Sequence, residues 1–183
     1  MQESETRDVN VMSTVSLLSP IELVSKLPLS PEVEETVLEG RKQIQGILRG
    51  EDGRFLVITG PCSIHDETAA LEYAERLAKL SSKLSDRILM VMRVYFEKPR
   101  TTLGWKGYIN DPNLNGTYDV KTGMTKAREF LLHVCEVGLP VATEFVEPFT
   151  PQYMGDLVAW GAIGARTTES QTHRLFASGL SMP

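Results

Sequence analysis

A chain of 183 residues, 42% hydrophobic and 23% charged, carries enough apolar material for a packed core, and no apolar run in it approaches the length of a membrane span. Its formal net charge of -5, with no broad basic face, argues against a general nucleic-acid partner. Two cysteines, Cys62 and Cys135, lie 73 positions apart and make neither a disulfide framework nor a zinc-ribbon spacing. Residues 1–5 lack the basic start and apolar core of a secretory leader, so a cytoplasmic location is expected.

Residues 1–29 are polar apart from a short amphipathic piece at Ile21-Glu22-Leu23-Val24, and read as an arm that needs another surface to order it, with a regulatory or oligomerisation role. Residues 30–183 show no linker that would divide them and read as one domain. Ser30-Pro31 caps and opens a helix whose Val33, Val37, Ile44 and Leu48 share a face and which ends before Gly50. Phe55-Leu56-Val57-Ile58-Thr59, between Gly53 and Gly60-Pro61, predicts a buried strand. Asp66 is placed to cap a helix carrying Leu71, Ala74, Leu77 and Ala78, and a second strand is expected over 88–94. A polar connection, Asn110 to Gly116, exceeds an ordinary loop and points to a working role. A helix is predicted from about Thr122 to Val137, a strand over Val141-Ala142-Thr143-Glu144, a helix from Pro151 to about Ala159, a strand over Ala162-Ile163-Gly164-Ala165, and a last helix from Ser170 to Ser178. Strands alternating with helices imply parallel strands with crossover connections. A (β/α)8 barrel takes about 250 residues. The four βα units here therefore predict its first half.

The stretch Met92 to Gly107 concentrates charge: Arg93, Lys98, Arg100 and Lys106 stand against Glu97 alone. A solvated basic loop is the plain account of such a cluster. Its place at the carboxyl end of a strand, where α/β proteins keep their anion sites, favours an active one. Parallel strands would bring Cys62, Arg93, Glu144 and Arg166 to one rim, with Arg93 and Arg166 converging on an anion and Glu144 between them orienting a guanidinium or a water. Cys62 is open to two readings, a soft metal ligand or nucleophile and a small buried hydrophobe. His65 fits a loop role better than ligation, His133 and Cys135 lie on a helix and read as structural, and His173 as a surface or supporting group.

Three segments, Gly60-Pro61-Cys62-Ser63-Ile64-His65-Asp66, Met92 to Thr102 continuing through Gly104-Trp105-Lys106-Gly107, and Gly161 to Gln171, resemble the class I 3-deoxy-D-arabino-heptulosonate 7-phosphate (DAHP) synthases of the aromatic-amino-acid-regulated subgroup. The resemblance runs from about Ser30 onward. It implies a transferase of the shikimate pathway that condenses phosphoenolpyruvate with erythrose 4-phosphate in an aldol-like step at a divalent cation (Mn, Fe, Co or Zn). It implies further that Cys62 is the thiolate metal ligand, that Arg93, Glu144, Ala165 and Arg166 hold phosphoenolpyruvate, that Lys98 sits between the substrates as a catalytic group, and that Arg100 and Thr101 take the sugar phosphate. An aromatic amino acid effector near Pro151, Gln152 and Ser181, and a dimer or tetramer, belong to the same resemblance. The family's other metal ligands fall on later strands, so the chain alone is expected to be inactive. Alternatives are a truncated, non-catalytic phosphate-binding half-barrel and a sibling enzyme joining phosphoenolpyruvate to a different aldose phosphate.

Overall fold

The computed structural model describes residues 6–11 and 13–183, and the leader reading of residues 1–5 lies outside it. The elements run α1 (Pro20–Lys26), α2 (Pro31–Leu48), β1 (Phe55–Thr59), α3 (Glu67–Leu84), β2 (Ile88–Arg93), α4 (Val120–Glu136), β3 (Val141–Phe145), α5 (Pro151–Met154), β4 (Trp160–Ile163) and α6 (Gln171–Ser178), with 3₁₀ turns over Gly155–Leu157 and Ala165–Thr167. The four strands are parallel in the order β1-β2-β3-β4. They form the first half of a (β/α)8 barrel.

Alternation along each strand separates two apolar layers. Met90, Met92, Val141 and Phe145 face α3, α4 and α5 in the outer layer. Leu89, Val91 and Ala142, with Leu56, Ile58 and Trp160, face the inside of the curl. The lower end of that interior is plugged by α2: Ile44 is fully buried within it, and a Cβ added at Gly40 would stand 2.6 Å from Pro140 Cβ. Side-chain caps set the helix starts, from Ser30, Asp66, Asp119 and Ser170.

At four places the structure adds to or corrects the expectations. The later part of the arm packs on its own chain: Ser19 and Glu22 form a capping box that starts α1, Leu23 is buried, and the Tyr153 hydroxyl donates to the Leu18 carbonyl at 2.7 Å, whereas residues 6–11 and 13–16 are exposed. The helix expected to reach Ala159 stops at Met154, where Arg128 Nη1 takes the Tyr153 carbonyl, and Ala159 N donates to Val141 O at 2.8 Å and joins the sheet approach. That pulls β4 two residues earlier than expected, with Trp160 opposite Ala142 and Ala165 left in a turn. Within the polar connection, Asp111 and Pro112 are buried, the Asp111 carboxylate accepts from Gly116 N, and its carbonyl accepts from Trp105 Nε1, so much of its length is structural. No helix among the described residues is long and apolar enough to cross a membrane.

Candidate active site

The alternation that builds the inner layer also places its upper rim. Arg93 follows Leu89 and Val91 on the inward face of β2, and Glu144 follows Ala142 on that of β3. Small residues flank both. A Cβ at Gly60 would meet Arg93 O at 2.3 Å, and one at Gly164 would come within 3.4 Å of Glu144 Oε1. Two charged side chains therefore occupy the carboxyl end of the half-barrel, and glycines on the outer strands make room for them.

Arg93 is held by the chain rather than by Glu144. Its Nη2 donates to Gly60 O at 3.0 Å and its Nε to Pro61 O at 3.2 Å, while the guanidinium lies 5.2 Å from the centre of the Tyr95 ring. Burial raises the Tyr95 phenol above its ordinary value, and nearby Glu144 adds to the rise. Among the described residues Glu144 makes no ion pair with either arginine, and two backbone carbonyls fix Arg93.

The cationic segment after β2 rises from this rim. Lys98 Nζ donates to Cys62 O at 2.7 Å and approaches Cys62 Sγ at 3.4 Å, which joins the loops after β1 and β2. Cys62 is exposed, so its hydrophobe reading is corrected. Lys98, Arg100, Thr101, Lys106 and Arg166 line one open cleft of about 540 Å³, with Glu97, Glu147 and Asn110 on its walls. Arg166 and Ala165 are exposed on the 3₁₀ turn after β4, which Thr167 N closes onto Gly164 O at 2.9 Å. Cys62, Arg93 and Glu144 stand outside the cleft lining, at adjoining strand ends.

Sequence reasoning counted Glu97 only as a charge. It is 4% exposed and accepts from Val146 N, Glu147 N and Thr150 Oγ1, at 3.2, 3.1 and 3.2 Å. Burial pushes its carboxyl up to about 7, against the opposing pull of those donors. A lone acidic residue inside a cationic run was the available signal. Of the remaining polar candidates, Cys135 is buried with its thiol pushed up to about 12, His173 bridges Ser170 Oγ and Val146 O, and His65 and His133 are exposed. Pro151 and the exposed Gln152 open α5, and the exposed Ser181 precedes Met182, whose methyl lies near Gly155. The two segments are thus neighbours.

The DAHP synthetase I family model matches residues 28–183. The chain belongs to the DAHP synthetase I family. It is 53% identical over 183 residues to the Tyr-sensitive phospho-2-dehydro-3-deoxyheptonate aldolase of Escherichia coli K12, and 53% identical over 176 residues to the Phe-sensitive enzyme of that strain. It spans about half the length of these curated relatives, 51% and 50%, while they cover 100% and 96% of it. A solved phospho-2-dehydro-3-deoxyheptonate aldolase from Francisella tularensis SCHU S4 superposes with a TM-score of 0.91 at 50% identity, over 94% of this chain and 51% of that one. A metal site of the DAHP synthetase I type does not fit within this chain: the described residues bring no three His, Cys, Asp or Glu side chains together, and Cys62 offers one thiolate.

Proposed function

We propose that this chain supplies the anion-binding half of a DAHP synthase site, in a protein that condenses phosphoenolpyruvate with erythrose 4-phosphate in the cytoplasm. The observation that carries the reading is the cleft at the strand ends, where Lys98, Arg100, Lys106 and Arg166 gather in an otherwise acidic chain of this family. Two phosphorylated reactants repel one another, and fixed cations offset that repulsion while orientation removes entropy from the barrier. Arg93 and Arg166, with the Ala165 backbone and Glu144, would receive phosphoenolpyruvate. Arg100 and Thr101 would take the phosphate of the sugar, and Lys98, beside Cys62, would stand between the two as the catalytic group.

Cys62 is proposed as one donor to a divalent ion whose other ligands are not among the described residues near it, and no step is assigned to that ion. Feedback by an aromatic amino acid is supported by the Tyr- and Phe-sensitive names of the relatives, and an effector place near Pro151, Gln152 and Ser181, a regulatory role for residues 1–29, and a dimeric or tetrameric assembly are further parts of the same proposal. Titration of the purified chain with phosphoenolpyruvate, followed by phosphorus NMR, tests the cleft. R166A is expected to weaken binding roughly tenfold or more, the scale of losing one charge-assisted contact. Equal binding by parent and R166A would overturn the assignment.

A further inference from the structure

Lys106 lines the cleft, and its contacts give it a task beyond its charge. Its Nζ donates to Arg100 O at 2.8 Å and to Thr101 O at 2.6 Å. Its own carbonyl accepts from Lys98 N at 3.0 Å, and Arg100 N returns to Lys98 O at 2.8 Å around Pro99. One lysine therefore closes the finger from Lys98 to Lys106 through both its main chain and its side chain. Below it, Glu97 pairs with Gly107 in an antiparallel bridge, and a Cβ at Gly107 would meet Phe96 O at 2.2 Å, so the base admits only glycine. Above it, the Arg100 stem lies over Gly104, whose added Cβ would stand 3.2 Å from Arg100 Nε.

An ammonium has three N–H donors, and two of these are already engaged by carbonyls. Both acceptors are main-chain carbonyls of the finger itself. We infer that Lys106 is a positioning residue, stapling the Arg100–Thr101 backbone so that the Arg100 guanidinium and Thr101 hydroxyl stay presented to an incoming phosphate. The staple is read from contacts alone, while its purpose rests on the function proposed above. Arginine at 106 can donate to both carbonyls from its planar fork; methionine fills similar space and donates to neither.

Limited trypsin digestion of the 183-residue chain tests this without any ligand. Pro99 protects the bond after Lys98, and K106M itself removes the bond after Lys106, so cutting is scored at Arg100–Thr101, the bond that the parent and both variants share, where cleavage follows the population of the open form. K106M is expected to be cut there roughly tenfold faster than the parent, with cutting at Arg49–Gly50 unchanged, and K106R is expected to stay within about twofold of the parent. Unchanged cutting at Arg100–Thr101 in K106M would overturn the staple. So would equal acceleration at both bonds, which marks general unfolding, or failure of K106R to restore protection. Inorganic phosphate slowing the parent's cleavage reports on the anion cleft separately: if phosphate has no effect while the K106M and K106R results hold, the substrate reading fails and the staple stands.

Discussion

Glu97 shows how one side chain ties two loops together at a cost. Its carboxylate leaves water to accept from Val146 N, Glu147 N and Thr150 Oγ1, so the loop after β2 is fastened to the loop after β3 beneath the cleft. Those bonds do not fully replace lost hydration, and burial moves the group from 4.5 up to about 7. A carboxyl whose folded value lies above its unfolded value binds its proton more tightly in the folded state. Glu97 therefore lowers stability as pH rises from about 4.5 to about 7, by roughly 3 kcal/mol across the window. Urea unfolding of the parent and E97Q at about pH 5 and about pH 8 measures it: the parent should lose more stability between the two than E97Q does. Parallel losses would mean that Glu97 ionises normally in its pocket.

At the scale of elements, the chain is knotted at Arg128. This α4 residue is fully buried and donates to Leu27 O after α1, to Tyr153 O on α5, and to both oxygens of Asp156 at 2.7 and 2.8 Å. Arg41 of α2 reaches the same turn, bonding Gly155 O and Val158 O. R128M keeps the volume but strands Asp156 and two carbonyls, and should cost roughly 3 kcal/mol, read as a lower urea midpoint with an unchanged slope. The same knot explains what could be read in advance. Helices with a cap and one apolar stripe, such as α2 and α3, were legible because local residues decide them, and so was a rim carrying Cys62, Arg93, Glu144 and Arg166. The short α5 and the start of β4 were not, since a buried arginine from α4 and a backbone bond to Val141 end one and begin the other. Glu97 and Lys106 escaped for a like reason: their partners are main-chain atoms of a folded loop, which carry no sequence signature.

The whole molecule is a curled sheet with its middle strands enclosed and its outer ones unequal. Both neighbours of β2 and of β3 are in place, whereas among the described residues β1 has one side free and β4 receives one further bond, Gly161 N to Pro183 O at 2.9 Å, from the segment after α6. Phe55, at the start of β1, is 76% exposed. A twisted parallel edge with an apolar lead residue pairs readily with another chain. Amide exchange should accordingly rank Met92 among the slowest sites, with the outward amides of β1 exchanging far sooner, since Met92 is paired with strands on both sides. Sedimentation of the isolated chain across a roughly tenfold concentration range should show association that grows with concentration, and F55K, which places a charge at the open edge without touching the cleft, should reduce it. A parent that stays monomeric throughout would show that the free edge of β1 is already blunted, and F55K would then have nothing to change.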